Sequence, residues 1–245
     1  MHVDALADEG ARFVAAIERG DPDAVVPSCP EWTLRELVHH TGGIHRWATR
    51  VVKEAREGPI DEELEAVAGG WPEDGELAPW FRAGHTLLVD ALQAAPDDLQ
   101  CWSFLKAPSP LAFWSRRQLH ETTIHRVDAE RASGAVTAIP TDVAVDGIDE
   151  LLTGFLPRRS SKLKPEMPCT IAVVPTDTDA AWTVSANAEG ATTERAASDA
   201  DVAVRGPAAD LYLLVWNRRS LDGLDVQGDA SLLDLWRSSV QVRWS

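Results

Sequence analysis

Between Leu111 and Ala132 the chain reads LAFWSRRQLHETTIHRVDAERA, enough for about six turns of helix. Advancing about 100° per residue puts Leu111, Trp114, Gln118, Glu121, His125 and Asp128 on one stripe. On an ordinary core helix such a stripe holds leucine and valine. Here it holds an amide, two carboxylates and an imidazole, and burying these without partners costs several kcal/mol. Any fold for this chain must therefore partner that stripe. Glu121 and His125 are one turn apart and about 40° apart in azimuth, so both can address one ion from the same helix wall. Spacing alone equally permits a Glu–His contact on a solvated face. His120, Glu121 and His125 also resemble the HExxH string of zinc proteases, but that string needs its histidines four apart. His120 and His125 are five apart, about 140° around the helix, so His120 is set aside as a ligand.

Upstream, residues 2 to 19 carry Val3, Leu6, Phe13, Val14 and Ile17 at helical spacing and end at Gly20, Asp21 and Pro22. The next helix opens at Thr33 as N-cap with Glu36 as its capping-box partner, and Trp32 is placed to staple onto Leu37. Its apolar stripe is interrupted by three inequivalent histidines. His39 projects nearly opposite the stripe, toward solvent; His40 lies on its flank; His45 lies within it. Periodicity thus mildly favours His45 as the inward group, subject to distortion at Gly42 and Gly43. Taken singly, each also reads as a hydrogen-bonded structural histidine.

Residues 57 to 78 are acidic and rich in glycine and proline, a loop or short-helix excursion that could lie over a site. A third helix is expected over about Pro79 to Ala94, and the Leu111 helix is the fourth. Four helices joined by connections of varied length suggest a bundle, and bundle cores are where facing helices build metal sites. From Gly134 the pattern changes. A small-residue linker precedes a helix over Asp146 to Leu156, and CTIAVVP and AWTVSA read as strands. GPAADLYLLVWNRRS reads as a helix, and LDVQGDASLLDLWRSSVQV as a strand-like start and a final helix. The chain therefore divides into a bundle over 1–135 and an α+β domain over 136–245.

Net charge is −16, from 23 basic and 39 acidic side chains, which disfavours nucleic acid because phosphate backbones recruit lysine and arginine. The start lacks a basic segment followed by an apolar one, and no uncharged apolar run reaches about 18 residues, so a cytoplasmic protein with no membrane association is expected. Cys29, Cys101 and Cys169 are odd in number and far apart, which offers neither a disulfide framework nor a thiolate metal site; thiol chemistry would have to come from a cofactor. Ten tryptophans against one tyrosine read mainly as core and helix-packing residues.

CPEWTLRELVHHTGGIHRWA followed by FWSRRQLHETTIHRVDAE resembles the mycothiol-dependent maleylpyruvate isomerase family, whose first domain is a DinB-like four-helix bundle. GPAADLYLLVWNRR and VQGDASLLDLW resemble that family's C-terminal domain, which is similar to sterol carrier proteins. The resemblance implies a divalent metal, usually zinc, held by His40, Glu121 and His125. It selects His40 over His45, against the mild preference of the periodicity. Three protein ligands leave a position open, as in catalytic zinc, and coordination there would keep the sulfur of mycothiol deprotonated. The implied chemistry is attack of a metal-bound thiolate on a small electrophile, either cis–trans isomerisation of a maleylpyruvate-type acid or S-transfer. The resemblance also implies an arginine from the second domain near the site for a substrate carboxylate, with Arg218 the first candidate and Arg205 the second. The C-terminal domain is then expected to pack over the open end of the bundle, and Asp128 or Gln118 to support the ligands from behind. Two other readings stay open: a non-catalytic protein of the same fold whose second domain holds an apolar ligand, and a metal-dependent hydrolase. The protein is expected to be a monomer or homodimer acting on a small molecule.

Overall fold

A computed structural model of the protein describes residues 2–158 and 162–241. The chain forms two compact units, residues 1–137 and 138–245. No helix among the described residues is long and apolar enough to cross a membrane.

In the first unit four long helices, α1 (His2–Arg19), α2 (Leu34–Lys53), α4 (Leu77–Ala94) and α5 (Pro110–Ala132), make the bundle. Both α1 and α2 pack against α4 and α5. A short hairpin, β1 (Val25–Val26) and β2 (Cys29–Thr33), links α1 to α2. Pairing of Val26 with Cys29 leaves Pro27 and Ser28 as its turn. The expected capping box at Thr33 and Glu36 is present, and α5 starts at Ser109 with Pro110 in its first turn.

α5 is buried far beyond a stripe. Every residue from Phe113 to Glu130 except Arg116 is buried, so its charged side chains meet protein on all sides. Arg126 donates to Glu9 on α1 at 2.8 Å and to Glu130 at 2.8 Å, and Glu130 accepts in turn from the backbone and hydroxyl of Thr137. A buried ion is tolerable only when it is paired and hydrogen-bonded in this way. Tryptophans act mainly as packing with one anchored N–H: Trp114 is fully buried, and its Nε1 donates to the carbonyl of Trp102 at 2.8 Å.

The acidic excursion folds as α3 (Leu64–Ala68) and a 3₁₀ turn over Asp74–Glu76, and α4 begins at Leu77, two residues earlier than the sequence pattern suggests. The excursion lies along α2. A side chain at Gly42 would overlap the Trp80 ring, and one at Gly43 would overlap Leu64. Arg46 stands 3.8 Å above the Trp80 ring and donates to the Gly42 and Trp80 carbonyls; burial pushes its guanidinium down to about 10. His39 is only partly exposed, less open to solvent than its azimuth suggested. Trp71 from the excursion stacks on it at 4.8 Å and 3°, because a segment that periodicity cannot place covers the outer face of α2.

The second unit has a five-stranded sheet ordered β5-β4-β3-β6-β7. Its strands are β3 (Cys169–Pro175), β4 (Trp182–Asn187), β5 (Gly190–Glu194), β6 (Val202–Gly206) and β7 (Asp225–Gly228). β3 and β6 are parallel and the other pairs antiparallel. The expected helix at Asp146 starts earlier: α6 spans Thr141–Asp149 and continues as a π-helical turn through Phe155. α7 (Ala208–Val215) packs on α6 and on β3 and β6. Trp216 Nε1 donates to Gly147 O, and Trp236 Nε1, from α8 (Ser231–Ser239), donates to Val215 O, both at 3.0 Å. β5 and β6 were missed in the sequence pattern; GATTE and VAVRG are short and lack a long apolar alternation.

Two buried histidines give the bundle an acid sensitivity. His45 and His85 face each other at 5.1 Å between ring centroids. Burial pushes His85 from 6.5 down to about 4 and His45 well below its ordinary value. A depressed folded-state pKa means that the unfolded chain takes up the proton first. The stabilisation is therefore complete above pH 6.5 and is lost as the pH falls toward 4. For His85 alone this amounts to about 2 kcal/mol between pH 7 and pH 5. Urea unfolding at the two pH values should show that loss, and His85→Leu should reduce it; an unchanged pH dependence in the variant would assign the loss elsewhere.

Candidate metal centre

α2 and α5 bring together the three residues that the resemblance selected. His40 Nε2 lies 3.4 Å and His125 Nε2 3.3 Å from the same atom, Glu121 Oε1, and the three donor atoms lie within 4.8 Å of one another. Tetrahedral zinc with ligand bonds of about 2.0–2.1 Å sets neighbouring donors about 3.3 Å apart, so the donor set fits a divalent ion in kind and in spacing. All three side chains are largely buried, at 13 %, 5 % and 9 % relative exposure for His40, Glu121 and His125.

The electrostatics of Glu121 and His40 point the same way. Burial raises the cost of charge on Glu121, but hydrogen bonding with His125 and His40 and the charge of Arg117 outweigh it, and the carboxyl is held well below the usual carboxylate range. Glu121 is thus an anion in a dry setting. Burial also lowers His40, which keeps that imidazole neutral, the form that ligates. For His125 burial opposes the charge, yet Asp128 and Glu121 outweigh it and raise the imidazole above its ordinary value.

The surrounding contacts fix the geometry. Asp128 Oδ2 accepts from His125 Nδ1 at 3.1 Å, which fixes the ring with Nε2 toward Glu121, the nitrogen that would be free to ligate once it carries no proton. Asp128 Oδ1 accepts from Ser28 Oγ at 2.5 Å, so the hairpin turn secures the same carboxylate. Arg117, buried one turn back on α5, donates from Nη2 to Glu121 Oε2 at 3.3 Å, holding the oxygen that does not face the histidines. Trp32 of β2 lies over the centre, its ring 4.8 Å from His40 and 6.3 Å from His125. Asp128 therefore stands behind His125, at the place its position in the stripe suggested.

Gln118 does not. It is fully buried, and among the described residues neither its amide oxygen nor its amide nitrogen has a hydrogen-bond partner; leaving such a group unmatched costs about 1–3 kcal/mol. His45, which periodicity preferred, is buried in the adjacent layer, bonded to Thr122 Oγ1 at 2.9 Å and packed on His85 and Phe81. His120 is buried outside the cluster. Arg117, Ser28 and Trp32 were missed. The stripe excluded Arg117 by azimuth, although its i,i+4 spacing to Glu121 was a usable signal; nothing local marks Ser28. In the second unit Arg218 follows α7 and donates from Nη1 to Trp216 O at 2.9 Å, and Arg205 lies on β6 opposite Asp225.

Comparison with known proteins agrees with this layout. A family profile described as Mycothiol maleylpyruvate isomerase N-terminal domain matches residues 3–130, and one described as MDMPI C-terminal domain matches residues 142–235. A search of curated proteins gives no match. Among solved structures, the mycothiol-dependent maleylpyruvate isomerase superposes with a TM-score of 0.65 at 16 % identity, covering 92 % of this chain and 91 % of that one. A histidine-to-alanine mutant of a mycothiol-dependent maleylpyruvate isomerase superposes with a TM-score of 0.64 at 15 % identity over the same shares. The helical bundle followed by an α+β unit is thus a known arrangement, and on the sequence match across its bundle the chain belongs to the mycothiol maleylpyruvate isomerase family, a family of enzymes.

Proposed function

We propose that this protein catalyses mycothiol-dependent cis–trans isomerisation of a maleylpyruvate-type acid at a centre where His40, Glu121 and His125 hold a divalent metal, zinc fitting best. The observation that carries the reading is the convergence of two imidazole nitrogens and one carboxylate oxygen at 3.3 and 3.4 Å. When bound, the metal would act as a Lewis acid that keeps a thiol sulfur deprotonated at neutral pH and open to attack on carbon. In the isomerisation the sulfur adds to one carbon of the cis double bond, and the π pair moves onto the conjugated carbonyl. The new single bond rotates, and expulsion of sulfur re-forms the double bond as trans. Bonds and electrons balance with no oxidant or reductant, and the thiol is regenerated.

The residues of the chain have separable tasks. Glu121, kept ionised by hydrogen bonding with His125 and His40 and by the charge of Arg117, supplies the negative charge that favours a cation. Asp128 and Ser28 hold the His125 tautomer and ring plane. Trp32 shields one side of the centre from water, which strengthens the electrostatic interactions inside. Arg218 is assigned to a substrate carboxylate on the family resemblance, since a guanidinium matches a carboxylate bidentately.

Metal analysis of the purified protein, with mycothiol and maleylpyruvate turnover measured in parallel, tests the reading. One divalent ion per chain is expected, and Glu121→Ala should lose both the ion and turnover; a wild-type protein that turns over maleylpyruvate with no bound metal would overturn it. Asp128→Asn should weaken metal affinity by tenfold or more, because it removes an anionic acceptor behind His125, and an unchanged affinity would reduce Asp128 to a packing residue. Arg218→Ala should cut turnover about tenfold to a hundredfold with metal content intact, the worth of one charge-assisted contact; full turnover in that variant would remove Arg218 from the site.

A further inference from the structure

Gln118 is a buried polar side chain beside the centre that the ligand set leaves unexplained. It sits on the face of α5 that meets α2, between Trp114, which packs on Trp47 at 5.4 Å, and Glu121 and Thr122, which face His40 and His45. The α2 residues spaced between those contacts, Ile44 and Ala48, have no polar side-chain group to offer. Along the axis Gln118 is one turn from Glu121, about 4.5 Å. Among the described residues neither end of its amide is hydrogen-bonded, although the residue has no exposed surface. A glutamine amide presents a donor and an acceptor side by side, so a carboxylate, which only accepts, can match only half of it. At neutral pH the dicarboxylate form of a maleylpyruvate-type substrate brings acceptors alone. An N-acylated cysteine such as the one in mycothiol brings an amide with both a donor and an acceptor, three bonds from its sulfur.

We propose that Gln118 recognises the thiol cosubstrate, its amide pairing reciprocally with the amide next to the sulfur. The inference rests on the thiol-dependent reading of the centre above. Gln118 therefore sets which thiol is used, by measuring the distance from the metal-facing sulfur to its nearest amide.

The test uses two thiols that differ only by an acetamide, N-acetylcysteine and 3-mercaptopropionate, with calorimetric binding to the zinc-loaded wild type and Gln118→Met. Gln118→Leu serves as a second variant if the first folds poorly. The wild type should bind N-acetylcysteine about tenfold more tightly, the worth of one or two neutral hydrogen bonds. The variant should lose that preference, keep its affinity for 3-mercaptopropionate and its zinc, and melt at the same or a higher temperature, since an unmatched buried amide has been replaced by an apolar group. A variant that keeps the preference, or that melts several degrees lower with thiol binding unchanged, makes Gln118 a structural residue and overturns the proposal. A wild type that binds both thiols equally overturns it alone; one that holds zinc and binds neither thiol overturns the thiol reading and this proposal together.

Discussion

The first unit depends on one constraint: α5 is surrounded by protein and yet carries many ionisable groups. A buried charge is stable only with a counter-charge and hydrogen bonds, so several of these groups recruit partners from elsewhere in the chain. Arg126 draws in Glu9 from α1 and, through Glu130, Thr137. Asp128 draws in the hairpin through Ser28. Glu121 is held between Arg117 and two imidazoles. The contacts that tie the bundle together and those that build the candidate centre are thus carried by the same helix, with Arg126 and Glu130 one to nine residues from Glu121 and His125.

Much of this was legible in the sequence because the local rules were obeyed. The capping box at Thr33 and Glu36 marked the start of α2, and the polar stripe on α5 announced groups that needed partners. The stripe also placed Asp128 behind His125. Periodicity preferred His45 to His40, since an angle around one helix says how deep a residue lies, not what it meets; His45 is indeed the more buried, and its partners are Thr122 and His85. The family resemblance supplied what azimuth could not. His39 was misjudged for the complementary reason: its shelter is Trp71, in an excursion whose path no local pattern sets.

Ser28 escaped notice because its role arises from a contact across 100 residues of chain, to Asp128, and Trp32 was read only as a staple onto Leu37, not as a neighbour of His40 and His125. A two-residue strand and a five-residue strand containing Pro30 leave almost no alternation to read. In the second unit the long apolar strand β3 was plain, and the edge strands β5 and β7 were weak in pattern. A strand paired on one side only is half-exposed, and its composition drifts toward that of a loop.

The two adjacent glycines of α2 bear on how the centre comes into being. Gly42 and Gly43 lie between His40 and His45, and each weakens an isolated helix by about 1 kcal/mol relative to alanine. Their compensation, the approach of Trp80 and Leu64, exists only after α4 and the excursion have docked. α2 is therefore a poor autonomous helix, and the angle between His40 and the rest of the chain is not fixed in any early, local structure. Glu121 and His125 are held one turn apart by α5 alone, whereas the placing of His40 beside them depends on tertiary closure of the bundle.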